Sequence, residues 1–324
     1  MSRVKAVQQT DLSPEDQEFY NMVPTLLGRV PNFDKSLSNS AYLAMAFLPI
    51  NALAQREWDG TDISGRLKEL IVIKYGGNVL IDRNVFNNFI SDINVLNKLG
   101  LSIIVVHGGG PRIQRELDKK KIVSKFINGL RVTNKDIIDT VEKVLVDFNI
   151  DIVRSLKNLG CEAISFHTKS ENIIEVEPEK KELGFVGIPK KINIDLIENI
   201  LSENKIPIIS PLGLDKNKQT FNINGDTAAS AIAKKIKSRR LILMTNVKGV
   251  YDDRKNLISE IKPEDLENLI KWKIVEGGMI PKIANCVDAV ENGVRGVVIL
   301  DGRKPHSILH EIFSDTGSGT LIRE

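Results

Sequence analysis

The stretch from Leu70 to Gly110 sets what this chain can fold into. It reads L-I-V-I-K-Y-G-G-N, then an amphipathic segment, then S-I-I-V-V-H-G-G-G-P. Two apolar, β-branched runs, each ending in glycines and separated by periodic sequence of helical length, predict a strand-turn-helix-strand unit with parallel strands. Both glycine turns then fall at the carboxyl edge of one sheet. A turn without side chains lets backbone N–H groups approach an anion closely, and the helix start that follows adds positive dipole. Two such turns side by side suit a polyanion passing between two ligands. Neither matches G-x-x-x-x-G-K-[ST] or G-x-G-x-x-G, so a P-loop or dinucleotide reading loses its main support. Lys74, at the tip of the first strand, supplies a fixed cation.

The same rhythm continues to the end of the chain. Apolar runs at 71–74, 103–107, 163–166, 206–210, 241–245 and 297–300 alternate with helical periodicity near 84–99, 112–120, 135–159, 194–203 and 228–237. Such alternation predicts an α/β fold, a three-layer αβα sandwich around a mostly parallel sheet. Short runs at 173–177 and 184–188 break the rhythm and read as a hairpin near the substrate end.

Residues 1–66 have a different texture. Ser13-Pro14-Glu15-Asp16 is a helix start with a cap, a first-turn proline and early acids, and Gly28 closes the segment it opens. A second helix is expected from Ser40 through Leu48, with Pro49 ending or kinking it. The polar stretch Glu57-Trp58-Asp59-Gly60-Thr61-Asp62 and Gly65 then marks a boundary. The chain of 324 residues is thus read as a small helical N-terminal appendage, 1–66, and one large domain, 67–324.

With 45 Lys and Arg against 42 Asp and Glu, the formal charge of +3 is too small to make nucleic acid or an anionic membrane the main partner. Anion chemistry must therefore be local. Cys161 and Cys286 are the two cysteines and form no C-x-x-C, which argues against a disulfide framework, a zinc site or a thiol redox centre. No secretory leader or membrane-spanning run is found, so a cytoplasmic location is expected.

Two resemblances add to this reading. L-L-G-R-V-P-N-F-D-K-S-L-S-N-S-A-Y-L-A-M-A-F-L-P, followed by S-G-R-L-K-E-L-I-V-I, resembles the front half of a carboxymuconolactone decarboxylase or AhpD-like peroxidase domain. The reactive C-x-x-C and histidine that the family carries after this stretch are absent, because the chain turns into I-V-I-K-Y-G-G instead. Across nearly all of 70–324, the ordered set I-K-Y-G-G-N, V-V-H-G-G-G-P, G-L-R-V-T, N-I-N-G-D-T-A-A, M-T-N-V-K-G-V-Y, G-G-M-I-P-K and D-G-R-K-P-H-S resembles the amino acid kinase family. Within it, G-L-R-V-T points to the branch acting on N-acetyl-L-glutamate and away from carbamate and uridylate kinases. The activity implied is transfer of the γ-phosphoryl of ATP, with Mg2+, to a side-chain carboxylate. The same resemblance implies a homodimer.

Carried over residue by residue, Lys74 and Lys282 are the cations on the transferring phosphoryl group and Asp226 is the acid that holds both. Catalysis of this kind is mostly positioning and charge neutralisation. Gly76, Gly77, Gly108, Gly109 and Gly110 are expected to give backbone donors to phosphoryl oxygens and the attacking carboxylate. Arg131 suits a bidentate grip on the substrate α-carboxylate, and Asn222, with both donor and acceptor, suits an N-acyl amino acid. Thr245, Asn246, Gly249 and Tyr251 resemble the loop for the base and ribose of ATP. No dedicated carboxylate cage for a metal is seen, in keeping with magnesium held by nucleotide oxygens and water. His107 is read as structural, because a carboxylate nucleophile is already ionised and needs no base. C-terminal H-S-I-L-H-E-I-F-S-D-T-G-S-G-T resembles the signature of arginine-inhibited members, placing His306, Glu311 and Gly317 at a possible effector site. Those members join dimers into a ring through an N-terminal helix that residues 1–66 here replace.

Two segments depart from the family pattern. V-D-F-N-I-D-I-V stands where the family reads V-G-K-V-N-K-E-I-V, and S-F-H-T-K-S-E-N stands where it reads a G-L-S-G-K-D-G turn. Other readings therefore stay open: a kinase of another acyl amino acid such as an aminoadipate derivative, or a non-catalytic arginine-sensing or partner-binding module.

Overall fold

The computed structural model describes residues 70–76, 82–277, 279–314 and 317–324. Its centre is an eight-stranded sheet in the order β12-β14-β13-β11-β1-β2-β8-β5. Six strands, β1 (Leu70–Tyr75), β2 (Ser102–His107), β8 (Ile206–Ile209), β5 (Ala163–Phe166), β11 (Arg240–Thr245) and β13 (Val297–Asp301), pair in parallel. Every residue of β1 and β2 is buried, as a parallel strand covered on both faces requires, and this is why they read as unbroken apolar runs. At the edge, β14 (Gly319–Ile322) runs antiparallel to β13 and pairs with the short β12 (Glu260–Ile261).

Side-chain alternation sorts the core into two faces. Leu70, Val72, Ile104, Val106, Leu241 and Leu243 pack with Ala228, Ala229, Ile232 and Ala233 of one helix and Ile283, Cys286 and Val287 of another. On the opposite face Tyr75 stacks on Phe89, ring centroids 3.9 Å apart and planes 6° off parallel, a pairing worth about 1 kcal/mol beyond the area it buries. The helices are α1 (Arg83–Lys98), α2 (Gly110–Lys119), α3 (Lys135–Lys157), α4 (Ile194–Ser202), α5 (Gly225–Ile236), α6 (Leu266–Lys271), α7 (Met279–Glu291) and α8 (Ser307–Phe313). Their starts are fixed locally: Asp82 caps α1, Asn134 caps α3 and Asn193 caps α4, each side chain accepting backbone N–H groups of the first turn. The three-layer α/β architecture expected from the alternation is the one found.

The hairpin expected at 173–188 is β6 (Ile174–Pro178) against β7 (Gly187–Ile192), antiparallel with a bulge between Glu175 and Val176. It belongs to a second, four-stranded sheet in the order β10-β9-β6-β7, completed by β9 (Leu212–Leu214) and β10 (Thr220–Asn222). A separate two-stranded ribbon, β3 (Phe126–Ile127) with β4 (Leu130–Arg131), turns through Asn128 and Gly129, both at positive φ. These small strands stand at the carboxyl edge of the large sheet and supply one wall of the site. No helix among the described residues is long and apolar enough to cross a membrane. Residues 1–66, with both helices and the peroxidase-like resemblance expected there, lie outside the described residues, as does Gly77.

Candidate active site

Register puts Lys74 opposite Val106 on one side and Leu243 on the other, so the ends of β1, β2 and β11 lie level. Lys74 shares the face of Val72 and meets the start of α5, where Asn224 accepts from the N–H groups of Asp226 and Thr227 at 2.9 and 3.1 Å. The cap of α5 is therefore Asn224. The Asp226 carboxylate is left for the lysines: Lys74 Nζ lies 2.9 Å from Oδ1, and Lys282 Nζ, from the first turn of α7, donates to Oδ2. The Lys74 contact is an ion pair without hydrogen-bond alignment, leaving Oδ1 otherwise unsatisfied among the described residues. Burial alone would raise the Asp226 carboxyl, but the fields of the two ammonium groups, with the hydrogen bond from Lys282, outweigh it and hold it well below the usual carboxylate range. The group stays anionic at any working pH. Lys74 itself is 8% exposed, and its side chain crosses Gly76 so closely that a Cβ there would come within 2.5 Å of Lys74 Cε.

A cavity of ≈ 530 Å³ opens beside this triad. Lys74, Gly108, Gly109, Gly110, Arg131 and Asn222 all line it, so residues far apart in sequence share one space. Arg131, at the end of the β3–β4 ribbon, is 8% exposed; Nη1 donates to Gln114 Oε1 at 2.9 Å and to Ser124 Oγ, and Nη2 reaches the Gly110 carbonyl at 3.4 Å. Its guanidinium also sits 4.7 Å from the Phe126 ring centroid. Among the described residues no carboxylate pairs with it, and burial lowers its pKa. Buried cations without a counter-charge are costly, so an anion from outside is favoured at that end of the cavity. Asn222 Nδ2 stands 3.5 Å from Thr133 Oγ1, at the same wall.

The other expected site residues lie elsewhere. Thr245 ends β11 opposite Asp301, Asn246 follows it, and Tyr251 bridges Leu257 at the surface. Gly249 has φ +146, and a Cβ there would come 2.8 Å from Leu257 Cδ1 and 3.1 Å from the Thr320 backbone N, so this loop needs a glycine. None of these four lines the cavity next to Lys74. His306 pairs with the buried Asp92 of α1 at 2.6 Å, while Glu311 accepts the Ser318 N–H at 2.7 Å beside Gly317, whose φ is +66. The two departures from the family pattern, at 146–153 and 165–172, contribute no cavity-lining residue; Phe148 and Asn149 sit behind the second glycine turn, and Thr168 and Lys169 both reach Glu142 of α3.

Sequence reasoning missed four contributors: Asn224, Gln114, Ser124 and Phe126. Asn224 carried a usable signal, an asparagine two residues ahead of an acid at a helix start. The other three had none, because their partner Arg131 reaches them only through the folding of the ribbon.

Arrangement and fold together define a phosphotransferase-type site, and the comparisons agree: the amino acid kinase family matches residues 69–301, and this chain belongs to that family. Its relatives include a protein named acetylglutamate kinase from Pelagibacter ubique, 54% identical over 256 residues that cover 79% of this chain and 89% of that protein. One of the same name from Clostridioides difficile is 45% identical over 259 residues, covering 78% and 91%. Among solved structures, smu.665 from Streptococcus mutans is 31% identical with a TM-score of 0.67, covering 79% of this chain and all but 1% of that one. The carbamate kinase from Giardia lamblia bound to AMP-PNP, 17% identical with a TM-score of 0.59 and covering 79% and 98%, shows the shared fold.

Proposed function

We propose that this chain is an enzyme that transfers the γ-phosphoryl group of ATP to the side-chain carboxylate of N-acetyl-L-glutamate, giving N-acetyl-L-glutamyl 5-phosphate and ADP. Relatives named acetylglutamate kinase at 40–54% identity over most of the chain support it. So does the site: one part-buried carboxylate holds two ammonium groups beside a glycine turn, and the same cavity ends at a buried arginine that pairs with no carboxylate among the described residues. The second feature carries the choice of substrate, since a planar guanidinium donates bidentately to a carboxylate such as the α-carboxylate of an amino acid.

On this reading a side-chain carboxylate oxygen attacks the γ-phosphorus while the bond to the β-phosphate bridging oxygen breaks, and that oxygen leaves with ADP. No proton has to move. Lys74 and Lys282 neutralise the charge that spreads over the phosphoryl oxygens, and Asp226 fixes their spacing without contacting the substrate. The N–H groups of Gly76 and Gly108 to Gly110 complete the oxyanion contacts, and Asn222 meets the N-acetyl group. Thr245, Asn246, Gly249 and Tyr251 would take the nucleoside. Magnesium, when bound with ATP, would shield phosphate charge. Among the described residues no cluster of three metal-ligating side chains exists, and Asp226 is already engaged by lysines, so nucleotide oxygens and water would hold the ion. The working form is a cytoplasmic homodimer.

An ADP-release assay with N-acetylglutamate, glutamate and N-acetylaminoadipate tests the reading. Turnover with N-acetylglutamate well above the other two is expected; preference for either of the others would overturn the substrate, and ADP release with none would overturn the activity.

A further inference from the structure

Behind the second glycine turn lies a buried polar cluster that the phosphoryl chemistry does not use. His107 ends β2 with its side chain on the face away from Lys74, wholly buried and edge-on to Phe148 at 5.1 Å. Its Nδ1 is 3.0 Å from the Gly108 carbonyl; its Nε2 is 3.1 Å from Ser210 Oγ and 3.2 Å from Asn149 Nδ2. Asn149 is oriented independently, because Nδ2 also donates to the Ile208 carbonyl at 2.9 Å and Oδ1 accepts from Ser165 Oγ. A carbonyl only accepts and an amide nitrogen only donates, so these partners assign the proton to Nδ1 and the lone pair to Nε2. Desolvation pushes the ring's pKa down to about 4, despite the bond to Gly108, so it is neutral at working pH.

The consequence lies in the next peptide. Gly108 N–H donates to the Tyr75 carbonyl at 2.6 Å, so with the ring on its own carbonyl both polar groups of Gly108 are held. In a trans peptide the N–H of the following residue points opposite to that carbonyl. Drawing the Gly108 carbonyl toward His107 turns the Gly109 N–H toward the cavity that Gly108, Gly109 and Gly110 line. No backbone carbonyl among the described residues takes that N–H.

We propose that His107 is a positioning residue of the phosphoryl site: its Nδ1–H holds the Gly108 carbonyl so that the Gly109 N–H is aimed at the reacting oxygens, while Asn149 and Ser210 fix its tautomer. The proposal rests on the glycine turn serving the transfer described above. A histidine that merely fills the core would affect stability and leave the turnover of folded enzyme alone; a donor aimed at charge developing in the transition state acts on kcat with little change in KM.

Two near-isosteric variants separate the possibilities, since an asparagine amide reaches the position of Nδ1 and a glutamine amide that of Nε2. H107N keeps the bond to Gly108 and is expected to hold kcat within about threefold, whereas H107Q loses that bond and is expected to lower kcat on the order of tenfold to a hundredfold at unchanged KM for both substrates. Equal kcat in the two folded variants, with thermal stability lowered alike, would overturn the proposal. Nitrogen NMR of the wild-type ring gives a readout independent of activity: a protonated Nδ1 is expected, and a protonated Nε2 overturns the proposal even where H107Q does not fold. A wild type that releases no ADP with N-acetylglutamate would sink the assignment of the site itself. An active wild type with an unimpaired H107Q removes only the role of His107.

Discussion

Lys74 Nζ lies 2.9 Å from Asp226 Oδ1, joining the end of the first strand to the first turn of α5. Lys282 completes the arrangement on the other oxygen. Two cations on one carboxylate keep a net positive charge beside the glycine turn, at a separation that neither lysine could hold alone. The Asp226 side chain is only 16% exposed, and its charge is tolerated there because both partners are present.

Asp226→Asn should therefore lower kcat by roughly 10²–10³, because the lysines lose their common anchor. It should also change how stability depends on pH. The folded pKa is depressed, so the carboxylate contributes stability that is present above its unfolded value of about 3.9 and is lost as pH falls through the folded value. Thermal unfolding measured from pH 6 down to 3 should show a steeper acid loss in wild type than in the variant. Parallel curves would mean that Asp226 carries no paired charge.

Lys74→Ala and Lys282→Ala should each reduce turnover by on the order of a thousandfold with little loss of fold, since each removes charge that matters most in the transition state. Gly76→Ala reaches the same lysine indirectly. The new methyl would meet the far end of a flexible side chain, which can swing aside, so stability should hold while kcat drops as Lys74 leaves Asp226. Normal turnover in either lysine variant would contradict the phosphoryl site; normal turnover in Gly76→Ala would show that Lys74 has a second productive position.

What could be read beforehand divides along physical lines. β1, β2, β8, β11 and β13 were legible because strands covered on both faces must be apolar throughout, and Lys74 because the glycine turn that follows it sets it apart from an ordinary solvated strand-end charge. β9 and β10 were not, being three residues each, too short to show a period. β14 was hidden in a stretch whose glycines read as an effector-site signature. α7 escaped because Pro281 reads as a breaker, although proline is tolerated in a first turn. The triad was found through motif resemblance, since nothing in the spacing of Lys74, Asp226 and Lys282 brings them together without the fold. Arg131 was found in the same way, while its partners Gln114 and Ser124 are visible only in three dimensions.

Arg131→Lys tests the substrate end. Lysine keeps the charge but loses the planar fork that Gln114, Ser124 and the Gly110 carbonyl hold in place. KM for the acylated amino acid should rise roughly tenfold or more, with KM for ATP and kcat changed far less, because the contact is made equally in the ground and transition states. Steady-state kinetics with each substrate varied in turn decide it; an unchanged KM for the acyl amino acid would leave Arg131 a packing residue of the ribbon.

The last prediction concerns residues 1–66. The family match begins at residue 69, and the lysines, the acid, the glycine turn and Arg131 all lie beyond it. A chain beginning near residue 67 is therefore expected to retain kinase activity within about twofold and the size of the full-length assembly. Arginine control should differ from that of the ring-forming relatives. An effector acts only through differential binding to two states, and the resemblance described above implies that residues 1–66 stand in place of the N-terminal helix that would complete a site around His306, Glu311 and Gly317. Arginine titrations of kinase activity, run beside size measurement for the full and shortened chains, should show weak or absent inhibition and no hexamer in either. Tight inhibition with a hexamer in the full chain, both vanishing on truncation, would show instead that the appended residues have taken over the work of the missing helix.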